Sequence, residues 1–138
     1  MSRPAQIQSG ESMGTFHVDC TVTDVSGAKS APMPHMLVDS GSEHTWMPAT
    51  VLESIGVERQ KKDLTFQMAN GATITRSIGF AIVHCGTFFT IDEVVFGEPG
   101  DLSLLGARTL EGFNARVDAY QKKLVAAGPI MAAGNIQQ

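Results

Sequence analysis

The sequence predicts a single, mainly β domain with one or two short helices. Short apolar segments with alternating polar residues recur along the chain, clusters of Gly, Pro, Asn and Asp separate them, and helical spacing appears in only two short stretches. The 138 residues suffice for one hydrophobic core and are too few for two ordinary domains. We predict a folded domain over residues 12–126, between a flexible N-terminal tail at 1–11 and a C-terminal tail at 127–138.

The first strand is predicted from Met13 onward, because apolar residues there alternate with polar ones. Its apolar face comprises Phe16, Val18, Cys20 and Val22. Two prolines follow the next turn and predict that the second strand begins only at His35 or Met36. That strand contains three apolar residues and ends on Asp39.

Asp39 begins the turn Asp39-Ser40-Gly41, directly after the apolar strand. A carboxylate buried there without a partner costs several kcal/mol or takes up a proton, so its presence favours a functional role. The alternative is structural, because Asp-Ser-Gly is also common turn chemistry.

A short helix is predicted after Pro48, with apolar residues at helical spacing and a C-terminal cap at Gly56. Trp46 and Met47, just before it, are expected to pack inward.

Asn70-Gly71 predicts a β-hairpin with a two-residue loop, which pairs Met68 with Thr73. This register places Ile74 on the face opposite Phe66. Either both faces of the hairpin are covered or a bulge shifts the register.

The remaining elements are also short. An apolar strand at 88–96 is followed by a turn at 98–101 and by the apolar run Leu104-Leu105-Gly106. A second helix is predicted over 107–113, and a last hairpin joins 117–120 to 124–125.

Composition excludes several classes of function. The formal net charge is -4 and no basic stripe is present, so no nucleic-acid partner is predicted. No apolar run reaches the roughly 20 residues needed to span a bilayer, and the first residues have no apolar signal-peptide core, so no membrane association and a cytoplasmic location are predicted.

In a reducing compartment, Cys20 and Cys85 are predicted to be buried thiols. Together with His17 and His84 they could supply four zinc ligands, but at these spacings the members of each pair point to opposite faces of a strand. We therefore predict no metal site and no cofactor.

The order of these features resembles that of the aspartic proteases. The segment Met36-Leu37-Val38-Asp39-Ser40-Gly41-Ser42 is similar to their active-site signature, the hairpin at Asn70-Gly71 lies where retropepsin-like members have a flap, and Leu104-Leu105-Gly106 is similar to their second signature. The resemblance runs from about Phe16 to Val125 and is greatest to the prokaryotic, single-domain, retropepsin-like proteins.

The resemblance implies a closed acid-protease barrel with a flap hairpin, acting as a homodimer. It assigns Asp39 as the catalytic residue and the following three residues as the active-site loop, while the flap comprises Met68, Ala69, Asn70, Gly71 and Ala72. Substrate side chains would then occupy pockets lined by residues such as Leu37, Ile74 and Leu104.

The sequence differs from other aspartic proteases in two features. Retroviral members have arginine directly after the glycine of the second signature, whereas here Ala107 stands there and Arg108 follows. A Glu43–Arg108 ion pair is the corresponding hypothesis. The flap tyrosine of pepsin-like enzymes is absent, since Tyr120 is the single tyrosine.

Peptide hydrolysis of this kind requires two carboxylates that face one water. The chain contains one Asp-Ser/Thr-Gly, so a second Asp39 would come from a second subunit. The predicted function is therefore a homodimeric aspartic endopeptidase acting on a peptide or protein substrate. Two alternatives remain: a weakly active or inactive dimerisation or peptide-binding module of the same fold, and an unrelated β-barrel in which Asp39 is a turn residue.

Overall fold

The computed structural model of the protein describes residues 15–130 and 132–134. The described residues are mainly β, as predicted, and contain two short helices. In chain order the elements are β1 (His17–Thr23), β2 (Ser30–Val38), β3 (Thr45–Pro48), α1 (Ala49–Ser54), β4 (Lys61–Gln67), β5 (Thr73–Cys85), β6 (Phe88–Gly97), β7 (Leu104–Leu105), α2 (Ala107–Gly112), β8 (Ala115–Asp118) and β9 (Lys123–Ala126).

Seven strands form one sheet in the order β1-β2-β7-β3-β6-β5-β4, and β1 also pairs with β5. Most neighbours are antiparallel, but β7 runs parallel to β2, and β3 runs parallel to β6. Strands β8 and β9 form a separate two-stranded sheet. The short strand β7 is therefore inserted between β2 and β3, which are close in sequence.

The main hydrophobic core is formed by buried residues of this sheet and of both helices. The predicted inward face of β1 is confirmed, because Phe16, Cys20 and Val22 are buried and Val18 packs against the core. Trp46 and Met47 are buried, and so are Leu110 and Phe113 at the end of the second helix. No helix in the described residues has the length and hydrophobicity required to cross a bilayer.

Two local predictions are wrong. Strand β2 begins at Ser30 rather than at His35. Its first residues pair with β1 alone, since β7 pairs only with Leu37 and Val38, and a strand with one free edge tolerates proline. The β4–β5 hairpin pairs Gln67 with Thr73 and Phe66 with Ile74, so its loop is longer than two residues and the two apolar side chains share a face.

The hairpin loop owes this register to its turn. Met68 N–H donates to Ala72 O at 2.7 Å, and Gly71 N–H donates to Met68 O at 2.9 Å. Gly71 has φ 89°, as in a three-residue loop that ends in a left-handed residue. The left-handed residue adds one position to the loop and shifts every pair below it.

The cysteines are not free thiols, which corrects the prediction. Cys20 and Cys85 form a disulfide, with Cα atoms 4.5 Å apart. The additional β1–β5 pairing explains this, because Thr21 lies opposite His84 and the next pair along the ladder is Cys20 with Cys85. Persistent disulfides are typical of oxidising compartments. The cytoplasmic location stays a prediction.

Reducing this disulfide is expected to lower the free energy of unfolding by about 2–4 kcal/mol, because the bond closes a loop between residues 65 apart and restricts the unfolded chain. Urea unfolding with and without a thiol reductant measures the change. In the double variant Cys20→Ala/Cys85→Ala the reductant should have no effect. A wild-type midpoint that reductant does not move would contradict a stabilising disulfide.

Candidate active site

Asp39 lies at the carboxyl end of β2, where the backbone is held from both sides. Its N–H donates to Leu105 O at 2.9 Å, and the preceding N–H of Val38 donates to Phe16 O at 2.9 Å. The parallel pairing of Leu37 with Leu104 and of Val38 with Leu105 places the second signature beside the first. The strand pairing therefore fixes the backbone position of the candidate catalytic carboxylate.

The turn after Asp39 is organised around its carboxylate. Gly41 N–H donates to Asp39 Oδ1 at 3.0 Å, and Ser42 N–H donates to Asp39 O at 3.1 Å. Asp39 is half-buried, whereas Ser40 and Gly41 are exposed. A Cβ at position 41 would lie 3.3 Å from Asp39 Oδ1, so glycine allows the close contact.

The second signature supports the remainder of this active-site loop. Ala107 N–H donates to Ser42 O at 2.7 Å, and Arg108 N–H donates to Glu43 O at 3.0 Å. Directly before these two residues, Gly106 lies so close to the loop that a Cβ there would be 2.3 Å from His44 O. The first turn of α2 therefore satisfies the carbonyl groups of the loop.

Buried hydroxyl groups also join the active-site loop to the second signature and α2. Gly106 N–H donates to Thr45 Oγ1 at 3.0 Å, Thr45 Oγ1 lies 2.6 Å from Thr109 Oγ1, and the Thr109 hydroxyl donates to Asp92 Oδ2 at 2.9 Å. Neither threonine has exposed surface.

The structure brings the predicted ion pair together within a larger group of charges. Arg108 Nη1 lies 4.0 Å from Glu43 Oε2 and 3.9 Å from Glu93 Oε1, and Arg108 Nε lies 3.9 Å from Asp92 Oδ1. At these distances, and with Arg108 42% exposed, each contact contributes little to stability by itself. Arg108 and Glu43 also line an open groove of about 520 Å³ along β6 and α2.

Glu93 links this group to the hairpin. Its carboxylate accepts from Lys61 Nζ at 2.5 Å and lies 3.4 Å from His44 Nε2. The hydrogen bond from Lys61, and secondarily the charges of Lys61 and Arg108, hold the pKa of Glu93 below its ordinary value despite its partial burial.

A second hydrophobic cluster lies beneath the hairpin. Trp46, Ile78, Val95 and Leu104 form its buried centre. The three residues expected to line substrate pockets all belong to it, since Leu37 and Ile74 pack against this centre. Phe66 also packs against this cluster, with its ring centroid 5.4 Å from that of Trp46 and 5.9 Å from that of His44. The hairpin carries the predicted flap residues, Met68 to Ala72, at its tip.

An ion pair connects the hairpin to the turn before the second signature. Arg76 donates to Asp101 through Nε at 2.7 Å and through Nη2 at 3.0 Å, and both side chains are less than one-fifth exposed. The two bonds from Arg76 hold the pKa of Asp101 below its ordinary value, and Asp101 raises the pKa of Arg76.

This pair predicts a specific loss of stability in acid. Because the folded-state pKa of Asp101 is lowered, its contribution is complete above the ordinary pKa of about 3.9 and is lost as the pH falls through the lowered value. The fall in unfolding free energy between about pH 5 and about pH 3 should therefore be smaller in Arg76→Met than in the wild type. Urea unfolding at both pH values measures this. Arg116→Met, at an exposed arginine, is the matched control. Its unfolding free energy should fall between the two pH values by as much as that of the wild type.

Sequence reasoning missed four residues around the site: Thr45, Asp92, Glu93 and Thr109. Asp92-Glu93 was visible as two acids within an otherwise apolar strand, which indicates that partners compensate them. The hydroxyl contacts had no sequence signal, because Thr45 and Thr109 are 64 positions apart. Within the described residues, no three His, Cys, Asp or Glu side chains are grouped closely enough to hold a metal ion.

The fold and the site together define an aspartyl-protease type of protein, in which an Asp-Ser-Gly turn at a strand end lies against a second apolar-glycine segment. A family model described as "gag-polyprotein putative aspartyl protease" matches residues 17–112. The chain belongs to this retropepsin-like aspartyl protease family. No curated protein matches the chain.

Proposed function

We propose that the protein is a homodimeric aspartic endopeptidase in which Asp39 from each subunit activates one water molecule. The observation that carries the proposal is the setting of Asp39. Its backbone is fixed by β7, and its half-buried carboxylate lies beside an exposed Ser40-Gly41 turn. The family match over residues 17–112 supports the same activity class.

The chemistry follows from two carboxylates that share a proton. At about 4 Å, two negative charges repel by roughly 4 kcal/mol at an effective dielectric of 20, so the pair retains one proton. The ionised member removes a proton from water, and the protonated member donates to the carbonyl oxygen of the substrate. The attacking water adds to the carbonyl carbon, and the C–N bond then breaks as the amine leaves with a proton.

A second subunit supplies the second carboxylate, because the sequence contains one Asp-Ser/Thr-Gly. The exposed Ser40 would hydrogen-bond across the two-fold axis. A groove of about 320 Å³ beside Ser40, lined by residues of α2 and β8, is a surface that the partner could occupy. The C-terminal tail is a further candidate for the interface.

The substrate is proposed to be an extended peptide beneath the flap. Backbone hydrogen bonds to the hairpin would hold the peptide as an added strand, and its side chains would contact Leu37, Ile74 and Leu104. Met68, which is 38% exposed, would close over it from the tip.

The test is cleavage of an unstructured protein between about pH 3 and about pH 8 by purified wild type and by Asp39→Asn. Cleavage by the wild type alone supports the proposal, and its pH profile reports the carboxylate pair. Cleavage by Asp39→Asn as well as by the wild type would disprove the catalytic role of Asp39. Peptide binding without cleavage by either would favour the inactive peptide-binding module.

A further inference from the structure

The hydroxyl chain beneath the active-site loop has one direction. A carboxylate only accepts hydrogen bonds, so the Thr109 hydroxyl donates to Asp92 Oδ2. Thr109 Oγ1 must then accept from the Thr45 hydroxyl, and Thr45 Oγ1 accepts from Gly106 N–H. Each group therefore donates to the next, from the Gly106 amide through Thr45 and Thr109 to the carboxylate of Asp92.

This series of hydrogen bonds lies in a buried environment, where each hydrogen bond is stronger than it would be in water. Thr45 and Thr109 are fully buried, and the Asp92 side chain is only 11% exposed, so water does not compete. Hydrogen bonds in a low-dielectric interior strengthen one another, and a member left without its partner is costly.

The Gly106 amide at the start of the chain is adjacent to both backbone contacts of the active-site loop. On one side, Leu105 O accepts from Asp39 N–H, and on the other, Ala107 N–H donates to Ser42 O. A displacement of Gly106 would therefore move the supports of the candidate catalytic carboxylate and of the loop after it.

We propose that Asp92 is a positioning residue for the hydrolytic reaction and acts through Thr109 and Thr45 to hold the Gly106 turn against the Asp39 loop. The inference rests on the proposed function, because it concerns the geometry of the same carboxylate. It assigns a role to the acidic residue that interrupts the apolar strand β6.

Both oxygens of Asp92 accept hydrogen bonds, an arrangement that asparagine cannot reproduce. Oδ1 accepts from Glu93 N–H at 2.7 Å, and Oδ2 accepts from Thr109. Asparagine has one acceptor oxygen. With its oxygen kept on Glu93 N–H, its NH₂ group would face Thr109 and donate to Thr109 Oγ1, so the Thr109 hydroxyl would lose its acceptor at position 92 and the hydrogen bonds would no longer end on a carboxylate.

The test compares Thr109→Val with Thr109→Ser. Valine keeps the shape of threonine and removes the hydroxyl, whereas serine keeps the hydroxyl. We expect Thr109→Val to lower kcat by about 10- to 100-fold, as for a small misplacement of a reacting group, with KM little changed because the apolar cluster is intact. Thr109→Ser should remain within a few-fold of wild type, and Asp92→Asn should resemble Thr109→Val.

Hydrogen exchange at the Gly106 amide provides a readout that needs no substrate. Exchange should be faster in Thr109→Val and close to the wild-type rate in Thr109→Ser. Thr50→Val, at an exposed position on α1, is the matched control for the same chemical change and should alter neither measurement.

The two readouts separate this inference from the proposed function. A wild type without Asp39-dependent cleavage would remove the proposed function and with it a role for Asp92 in that reaction, whatever the exchange rates. With an active wild type, unchanged Gly106 exchange in Thr109→Val would overturn the inference, and so would faster exchange with an unchanged kcat. Loss of kcat with faster exchange, both restored by serine, would establish it.

Discussion

Asp39→Asn is expected to reduce kcat by about 1,000-fold or more, because the proposed dimer would then have no carboxylate at the site to remove a proton from water. Asparagine has nearly the same shape, and its Oδ1 can still accept from Gly41 N–H, which lies 3.0 Å from Asp39 Oδ1. The turn, the fold and the dimer should therefore be retained. Cleavage assays with light scattering on the same samples measure both properties.

The control for this change is Asp63→Asn. Asp63 is exposed and has φ 57°, a conformation that asparagine also tolerates, so the substitution removes a carboxylate without straining the chain. This variant should cleave at the wild-type rate. Activity retained in Asp39→Asn, or lost equally in Asp63→Asn, would contradict the assignment of Asp39.

Mixing wild-type protein with Asp39→Asn tests whether two subunits share one active site. If one water lies between two Asp39 carboxylates, a dimer of one wild-type and one Asp39→Asn chain lacks half of the pair. Activity per wild-type chain should then fall towards zero as the variant is added in excess. Activity that does not depend on the added variant would indicate that each chain acts alone.

Gly106→Ala is expected to destabilise the fold by about 3 kcal/mol, near the upper end for overpacking, and to impair cleavage in the molecules that remain folded. The added Cβ would lie 2.3 Å from His44 O and 2.8 Å from Glu43 O. Both atoms belong to the backbone, so no side-chain rotation relieves the overlap, and the active-site loop must move away from β7. Urea unfolding and kcat per folded molecule measure the two effects.

Gly97→Ala is the matched comparison, since neither glycine has a positive φ. Its Cβ would be 3.2 Å from Met47 O, a contact that a shift of a few tenths of an ångström relieves. Its expected cost is therefore below about 1 kcal/mol. Equal destabilisation by the two substitutions would show that the close approach at Gly106 does not hold the loop.

The sequence by itself determined the elements whose causes are local. Alternating apolar residues specify the strands, Pro48 and Gly56 bound the first helix, and three apolar residues followed by Asp39-Ser40-Gly41 specify a strand that ends in a tight turn. The family match over residues 17–112 confirms the resemblance that these features indicated. Such signals can be read because each depends on residues a few positions apart.

Tertiary structure decided the features that depend on distant partners. The pairing of β1 with β5 turned two expected thiols into a disulfide across 65 positions. The left-handed residue at Gly71 changed the hairpin register, which neighbouring side chains do not specify uniquely. The contacts from Gly106 to Asp92 join three separate segments, and hydroxyl groups acquire this role only when folding buries them together, where water can no longer replace their partners.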